Sequence, residues 1–197
     1  MIRAMQRLGG RVTLITVLLG LSLSAQAAAF TLSELMGALA NHAYGTAAFT
    51  ETKYISILDL PVESSGELLF IPPSHLEKRT LKPKVETLVL DGEVLTVASQ
   101  TQKHVLQIKD YPEVAGMIES IRATLAGDRQ ALERLYHLNL EGSPEGWALV
   151  LRPLDAAMGW MITRIRVEGT RDEVRTVEIQ QADGDRSVMR VRQSASP

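Results

Sequence analysis

Short segments of alternating apolar and polar residues, separated by turn residues, most constrain the fold of this chain. Alternation with a period of two is typical of β-strands. The pairs Asp91-Gly92 and Asp183-Gly184 indicate tight hairpin turns, because both residue types tolerate positive φ. The pattern predicts eleven strands, at 47–59, 62–71, 75–82, 85–90, 93–99, 102–109, 136–142, 146–153, 160–168, 173–182 and 186–193.

So many sequential antiparallel strands are not expected to form one flat open sheet. They curl into a barrel or half-barrel, or fold into a sandwich. The sequence has no repeat of fixed period and no low-complexity linker. We therefore expect a mainly β (α+β) fold in which an incomplete antiparallel barrel is covered by helices.

Two amphipathic helices accompany the predicted strands. Thr31 and Glu34 have the spacing of a capping box and open a predicted helix over 32–43. A second helix is predicted over 112–126, with a proline at its first position. A shorter helix follows it and is capped by Asp128. The apolar stripes are Leu32, Leu35, Met36, Leu39 and Ala43 in the first helix and Val114, Met117, Ile118, Ile121 and Leu125 in the second.

Residues 1–29 are predicted to be a signal peptide, because arginines precede an apolar stretch that is too short to span a bilayer. The arginines are Arg3, Arg7 and Arg11, and the stretch covers 12–23. A buried N-terminal helix is the alternative, but it gives the arginines no role. Two small-residue cleavage patterns compete, leaving Ala28 or Phe30 first, and we favour Phe30. We therefore expect export to the periplasm and a single mature domain over 30–197.

The absence of cysteine and the net charge restrict the partners of the chain. Without cysteine it has no site for N-terminal lipid modification and no disulfide. The formal charge is −2, and it is −5 without 1–29, which carries three arginines and no acid. An acidic surface argues against nucleic acid. We expect a monomer without a stable membrane anchor.

The sequence patterns that carry catalysis or metal binding are missing. The four histidines, His42, His75, His104 and His137, are far apart in sequence, and no pair has metal-ligand spacing. There is no Gly-x-Ser-x-Gly elbow, no Walker loop and no thiol nucleophile. We predict no catalytic residue, no metal and no cofactor, hence no enzyme; a hydrolase without these signatures is the alternative.

The apolar faces allow two interpretations, a packed core filled by the helices or a lined cavity for hydrophobic guests. Aromatic residues make up only 5% of the chain, and flexible aliphatic and Met side chains adapt well to acyl chains. Alternation alone does not separate the two. The candidate lining residues are Leu76, Leu95, Leu106, Trp147, Leu149, Met161, Ile165 and Val177 from strands and Met36, Met117, Ile118 and Ile121 from helices.

Several strand and turn segments resemble the periplasmic lipoprotein carrier family LolA, in a divergent branch. These segments are FTETK at 49–53, SGELLFIPP at 65–73, LDGEVL at 90–95, WALVLRP at 147–153, IRV at 165–167 and ADGD at 182–185. The resemblance implies an eleven-stranded incomplete barrel with helices over its concave apolar face. It also implies a carrier that shields the acyl chains of lipoproteins or related lipids. Such a carrier takes cargo from an inner-membrane ABC-type transporter to an outer-membrane lipoprotein receptor.

One position departs from this family. The family's Arg-Pro pair, whose arginine helps to hold the lid closed, falls at Pro72-Pro73. The basic stretch 75–84 is interpreted as a solvated strand face, or as a contact for lipid phosphates or an acidic partner. Within this stretch, Arg79 is the candidate substitute for the family's arginine, as a lid or partner contact. The difference allows a cargo other than a lipoprotein, such as a glycolipid or a lipid-linked polyene. It also allows a non-transporting periplasmic interaction module on the same scaffold.

Overall fold

The computed structural model describes residues 29–42 and 45–193, which form one eleven-stranded antiparallel sheet and four α-helices. This confirms the predicted fold class and the predicted number of strands. Residues 1–28 of the predicted signal peptide and Ala43 lie outside the described residues.

The strands and helices have the following bounds. The strands are β1 (Thr46–Tyr54), β2 (Val62–Ile71), β3 (His75–Lys82), β4 (Glu86–Asp91), β5 (Val94–Ser99), β6 (Lys103–Gln107), β7 (Tyr136–Ser143), β8 (Gly146–Pro153), β9 (Ile162–Thr170), β10 (Glu173–Gln181) and β11 (Arg186–Gln193). The helices are α1 (Leu32–Ala40), α2 (Pro112–Leu125), α3 (Arg129–Leu135) and α4 (Ala156–Gly159), with a 3-10 turn at Ile108–Asp110.

The strand order is β6-β5-β4-β3-β2-β1-β11-β10-β9-β8-β7. Every neighbouring pair is consecutive in sequence except β1 and β11, which join the two halves of the chain at the centre of the sheet. The edge strands β6 and β7 do not pair with each other, so the sheet is an incomplete barrel.

Several predicted strand boundaries differ from the structure, and at two of them a local turn or helix sets the boundary. β1 stops at Tyr54, not at residue 59, since the Leu58 N–H donates to the Ile55 carbonyl at 2.9 Å and closes a turn. The segment before β9 forms α4, because the Asp155 carboxylate accepts from the backbone N–H of Ala157 at 2.6 Å and caps a helical turn there.

The helices pack on one half of the sheet. The core formed by the described buried residues takes its strand side chains only from β7–β10 and combines them with α1, α2, α3 and α4. Its centre is fully buried, at Leu35, Leu39, Leu132, Leu149 and Leu151, each 0% exposed. This half therefore has the packed core that the first interpretation predicted.

Helix α2 packs through a stripe of small residues that the sequence analysis did not single out. The stripe consists of Gly116, Ser120, Ala123 and Thr124, all buried. A Cβ at Gly116 would lie 2.3 Å from the Met158 methyl carbon, so a larger residue there would require the Met158 side chain to move. The Tyr136 hydroxyl donates to the Gly116 carbonyl at 3.1 Å, and burial raises the pKa of Tyr136 despite a hydrogen bond with Ser120 that lowers it.

Gly127 fixes the position of α1 against the junction of α2 and α3. Its φ is +66°, and an added Cβ would lie 2.2 Å from the Met36 carbonyl oxygen. We expect Gly127→Ala to lower the free energy of unfolding by about 2 kcal/mol or more, measured by urea denaturation. Gly92→Ala is the matched control, because Gly92 has a similar φ of +58° and nothing within 4 Å. Equal losses of unfolding free energy in the two variants would contradict a destabilising contact between the new Cβ at position 127 and the Met36 carbonyl.

Candidate functional site

Most of the large apolar side chains of the strands lie on one side of the sheet, which we call the inner face. It is the side that carries Trp147, Leu149 and Leu151, against which the helices pack. Directly opposite residues in antiparallel strands point to the same side. Pairings from Leu149 through Val167, Val177 and Met189 to Glu51 therefore extend the inner face from β8 to β1.

The register places seven of the eight strand residues predicted to line a cavity on the inner face. Leu76 pairs with Leu90, which pairs with Leu95, which pairs with Leu106. The predicted residues on this face are Leu76, Leu95, Leu106, Trp147, Leu149, Ile165 and Val177.

Met161 is the predicted strand residue that does not lie on the inner face. Gln180 pairs with Arg164 whereas Gln181 pairs with Ile162, so the register shifts by one residue at Thr163. Such a bulge moves the residues beyond it to the opposite face. Ile162 is therefore buried, whereas Met161 precedes β9 and is 42% exposed.

The inner face has a second half that the packed core does not include. Six apolar side chains on β2–β6 are only half-buried, and they form what we call the open half: Leu68, Leu76, Leu88, Leu95, Val97 and Leu106. They surround Phe70 and Leu90, which are buried on the same face. Apolar surface is thus available on the open half, while Met36, Trp147, Leu149 and Ile165 contact the protein's own core.

Two clefts among the described residues do not lie over the inner face. One of about 380 Å³ is bordered by Ala148, Arg166 and Thr176, and one of about 60 Å³ by Glu67 and Arg79. These side chains alternate with inner-face residues and lie on the outer face of the sheet. A ligand of the inner face would therefore lie on the open half itself.

Helix α2 carries the predicted Ile118 and Ile121 on the side away from its buried stripe. At 100° per residue, Ile118, Ile121 and Val114 project roughly opposite to Gly116 and Ser120. All three aliphatic side chains are half-buried, whereas Met117 packs against the core between the two faces. The helix thus presents an aliphatic surface that the core does not use.

A buried polar group interrupts the apolar inner face at the centre of the sheet. We call it the Glu51 cluster, and it consists of Glu51, Ser64, Lys78 and Ser187. The carboxylate of Glu51, only 5% exposed, accepts from Lys78 Nζ at 2.6 Å, Ser187 Oγ at 2.6 Å and Ser64 Oγ at 3.3 Å. Lys78 Nζ also lies 5.0 Å from the centre of the Phe49 ring.

The cluster keeps Glu51 ionised. Burial acts to raise the pKa of Glu51, but the hydrogen bonds from Lys78 and Ser187 and the positive charges of Lys78 and Lys53 outweigh it. Its pKa is therefore below the ordinary value. The signal in the sequence was the period-two series of Ala47, Phe49 and Glu51 in β1, which puts a charge at an inward position.

Arg79, predicted as a lid or partner contact, lies on the opposite side of the sheet from the helices, and its contact with a partner stays a prediction. Arg79 pairs with Glu67 and Thr87 across the sheet and lies on the outer face. Its guanidinium forms ion pairs with Glu77 at 2.8 Å and Glu67 at 3.7 Å. Of the basic stretch 75–84, it is Lys78 whose side chain enters the inner face.

Exposed apolar side chains gather at one end of the sheet, which we call the apolar end. Ile57 and Leu60 in the β1–β2 loop are 88% and 78% exposed, and Trp160 beside α4 is 82% exposed. The loops are tied together at this end: Ser56 N–H donates to Asp185 at 2.8 Å, and Ala182 N–H donates to the Met161 carbonyl at 3.0 Å.

Neither metal binding nor membrane spanning has support within the described ranges 29–42 and 45–193. No group of His, Asp and Glu side chains there could hold a metal ion. None of the helices there is long and apolar enough to cross a bilayer.

Comparison with solved structures gives distant similarities. A LolA superfamily protein from Nitrosomonas europaea has a TM-score of 0.42 at 11% identity, covering 84% of this chain and 93% of its own. An outer-membrane lipoprotein-sorting protein domain from Vibrio parahaemolyticus has a TM-score of 0.43 at 10% identity, covering 82% and 89%. The MucA/MucB complex of Pseudomonas aeruginosa gives 0.44 at 14% identity, covering 84% of this chain but only 56% of the matched one. These TM-scores all lie below 0.5.

The family assignment rests on the sequence. A comparison with curated proteins gives no match. The model of the family described as "Outer membrane lipoprotein carrier protein LolA-like" matches residues 24–195, which is most of the chain. The chain therefore belongs to the LolA-like family of outer-membrane lipoprotein carrier proteins.

Proposed function

We propose that the protein binds the acyl chains of lipoproteins or related lipids on the open half and carries them through the periplasm. Membership of the LolA-like family supports a role in binding or carrying lipid or lipoprotein. The open half supports the same role for this chain. A binding or carrier role of this kind needs no catalytic group.

The observation that carries the proposal is the contrast between the two halves of the inner face. One half is filled by helices, and its central leucines are inaccessible. The other keeps six aliphatic side chains half-buried in adjacent strands. Aliphatic surface with few aromatic groups suits acyl chains, which have no fixed shape.

Release of the cargo requires that the protein itself compete for the open half. Each buried methylene contributes roughly 0.8 kcal/mol, so a long acyl chain held without competition would bind too tightly to be transferred. The aliphatic surface of α2, with Ile118 and Ile121, could supply this competition by covering the open half when no cargo is present.

The remaining parts of the proposal follow the sequence and the family. Removal of 1–29 would leave a monomeric mature chain that begins at Phe30. An inner-membrane ABC-type transporter would load the protein, and an outer-membrane lipoprotein receptor would accept its cargo. A glycolipid or a lipid-linked polyene is the alternative cargo.

Native mass spectrometry of the protein purified from the periplasm tests the proposal. We expect monomers that carry co-purifying acylated lipid or lipopeptide, released on activation in the gas phase. The intact mass also checks whether the chain begins at Phe30 or Ala28. A protein that is free of lipid and takes up none from added acylated lipids would contradict the proposal.

A partner-binding module is the second candidate function, and the apolar end favours it. Large exposed apolar side chains at one site mark contact surfaces, and Ile57, Leu60 and Trp160 are all exposed in loops at this end of the sheet. The two candidates differ in their dependence on the open half. Lipid-free protein that still retains a protein partner through the apolar end would support the module.

A further inference from the structure

We infer that Lys78, held in place by Glu51, donates a hydrogen bond to the carbonyl oxygen of an acyl ester or amide whose chain lies along the open half. The inference rests on the proposed function and adds to it the polar part of the ligand. The Glu51 cluster would then set how deeply the cargo enters, while the apolar surface would hold its chain.

Lys78 stands at the border between the Glu51 cluster and the open half. Its cross-strand neighbours are Leu68 on β2 and Leu88 on β4, and Leu88 pairs in turn with Val97. The open half continues from there to β6, three strand spacings of about 4.8 Å each. A chain that runs from Lys78 across the strands therefore meets Leu88 and Val97, and β6 then presents His104 opposite Val97 with Leu106 beside it.

Among the four members of the cluster, Lys78 is the one that can serve a ligand as donor. The hydroxyls of Ser64 and Ser187 both donate to Glu51. The ammonium group of Lys78 has three N–H donors, of which one is directed to Glu51 and another faces the Phe49 ring. Its side chain is 24% exposed, against 6% for Glu51, so the ligand would meet the lysine first.

The charge of Glu51 determines which acceptor fits. The Glu51 carboxylate lies 2.6 Å from Lys78 Nζ, so a second anion such as a phosphate or a free carboxylate would be repelled at short range. An ester or amide carbonyl accepts the same hydrogen bond without adding charge. Acyl esters and amides are therefore the favoured chemical class.

A matched pair of lipids isolates this hydrogen bond. 1-Palmitoylglycerol carries an ester carbonyl, whereas 1-O-hexadecylglycerol has the same chain and headgroup with an ether. Affinities are measured by displacement of a neutral fluorescent dye from the full mature protein. We expect the wild type to prefer the ester by about tenfold, the worth of one charge-assisted hydrogen bond.

The variant must remove the donor without leaving a buried unpaired charge. Glu51→Leu combined with Lys78→Met replaces the ion pair by apolar side chains of similar volume, which is often tolerated. We expect this variant to bind the two lipids equally and to keep the ether affinity within about threefold. Arg79→Met is the control, since Arg79 is the next residue but lies on the outer face, and it should keep the ester preference.

The outcomes separate this inference from the proposed function. Equal binding of ester and ether by the wild type, or an ester preference that survives in the double variant, would overturn the inference while lipid binding stands. Failure of both lipids to displace the dye from the folded wild type would count against the proposed function and the inference together.

Discussion

Replacement of Leu95 with aspartate is expected to lower the affinity for acylated lipid by about a hundredfold or more, because an unpaired carboxylate would face the acyl chain in apolar surroundings. Leu95 lies between Leu90 and Leu106 on the inner face. It is only half-buried, so the variant is expected to fold. Dye displacement and native mass spectrometry measure the lost binding, and circular dichroism checks the fold.

The control for Leu95→Asp is Val105→Asp, which adds the same charge on the neighbouring strand. Val105 is 58% exposed and lies on the outer face, paired with Thr96. The Val105→Asp variant should therefore bind lipid with the same affinity as the wild type. If both variants fold and keep full affinity, the open half does not hold the acyl chain; if both lose affinity, added negative charge is responsible and not its position.

The second large effect is expected for Lys78→Met, which should lower the free energy of unfolding by about 3 kcal/mol. Removal of one partner of a buried ion pair typically costs about 3–5 kcal/mol, because the remaining charge stays buried. We expect the lower end of that range, since Ser187 remains at 2.6 Å from Glu51 and Lys53 at 3.8 Å. Denaturant unfolding at pH 7 to 8 measures the loss.

The dependence of this loss on pH identifies its cause. In the wild type the pKa of Glu51 is lowered, so its stabilising contribution is present above the ordinary value of 4.5 and is lost as the pH falls through the lower, folded-state pKa. In the Lys78→Met variant, the buried Glu51 carboxyl lacks its main positive partner and would take up a proton more readily than in the unfolded chain. The stability difference should therefore narrow on acidification. Arg79→Met, which removes a half-exposed guanidinium, should cost less than about 1 kcal/mol.

Alternation in the sequence predicted the inner face well because the period of a strand is fixed by its geometry. The pairs Leu95–Leu106 and Leu149–Val167 lie on the face that the pattern indicated. The alternation pattern gave the wrong face for Met161, because α4 and the bulge at Thr163 shift the alternation of β9 by one residue. A bulge depends on the pairing with β10, which a single strand's pattern does not contain.

The division of the inner face into a filled and an open half could not be predicted. It depends on where the helices pack, and close packing depends on particular contacts such as Gly116 against Met158. Aliphatic patterning drew attention to Ile118 and Ile121 on α2, whereas the most buried stripe consists of small residues such as Ser120 and Ala123. Burial of Glu51 likewise depends on Lys78, 27 residues further along the chain.

The pairing of β1 with β11 has a consequence for biosynthesis. Ala47 pairs with Gln193 and Tyr54 with Arg186, so β1 meets its second neighbour only when the last strand has been made. Until then the hairpins β1–β6 can form from local contacts while β1 exposes unpaired backbone groups, an edge prone to aggregation. Nonsense mutations that delete β11 would leave two such edges, on β1 and on β10, in what should be the middle of the sheet.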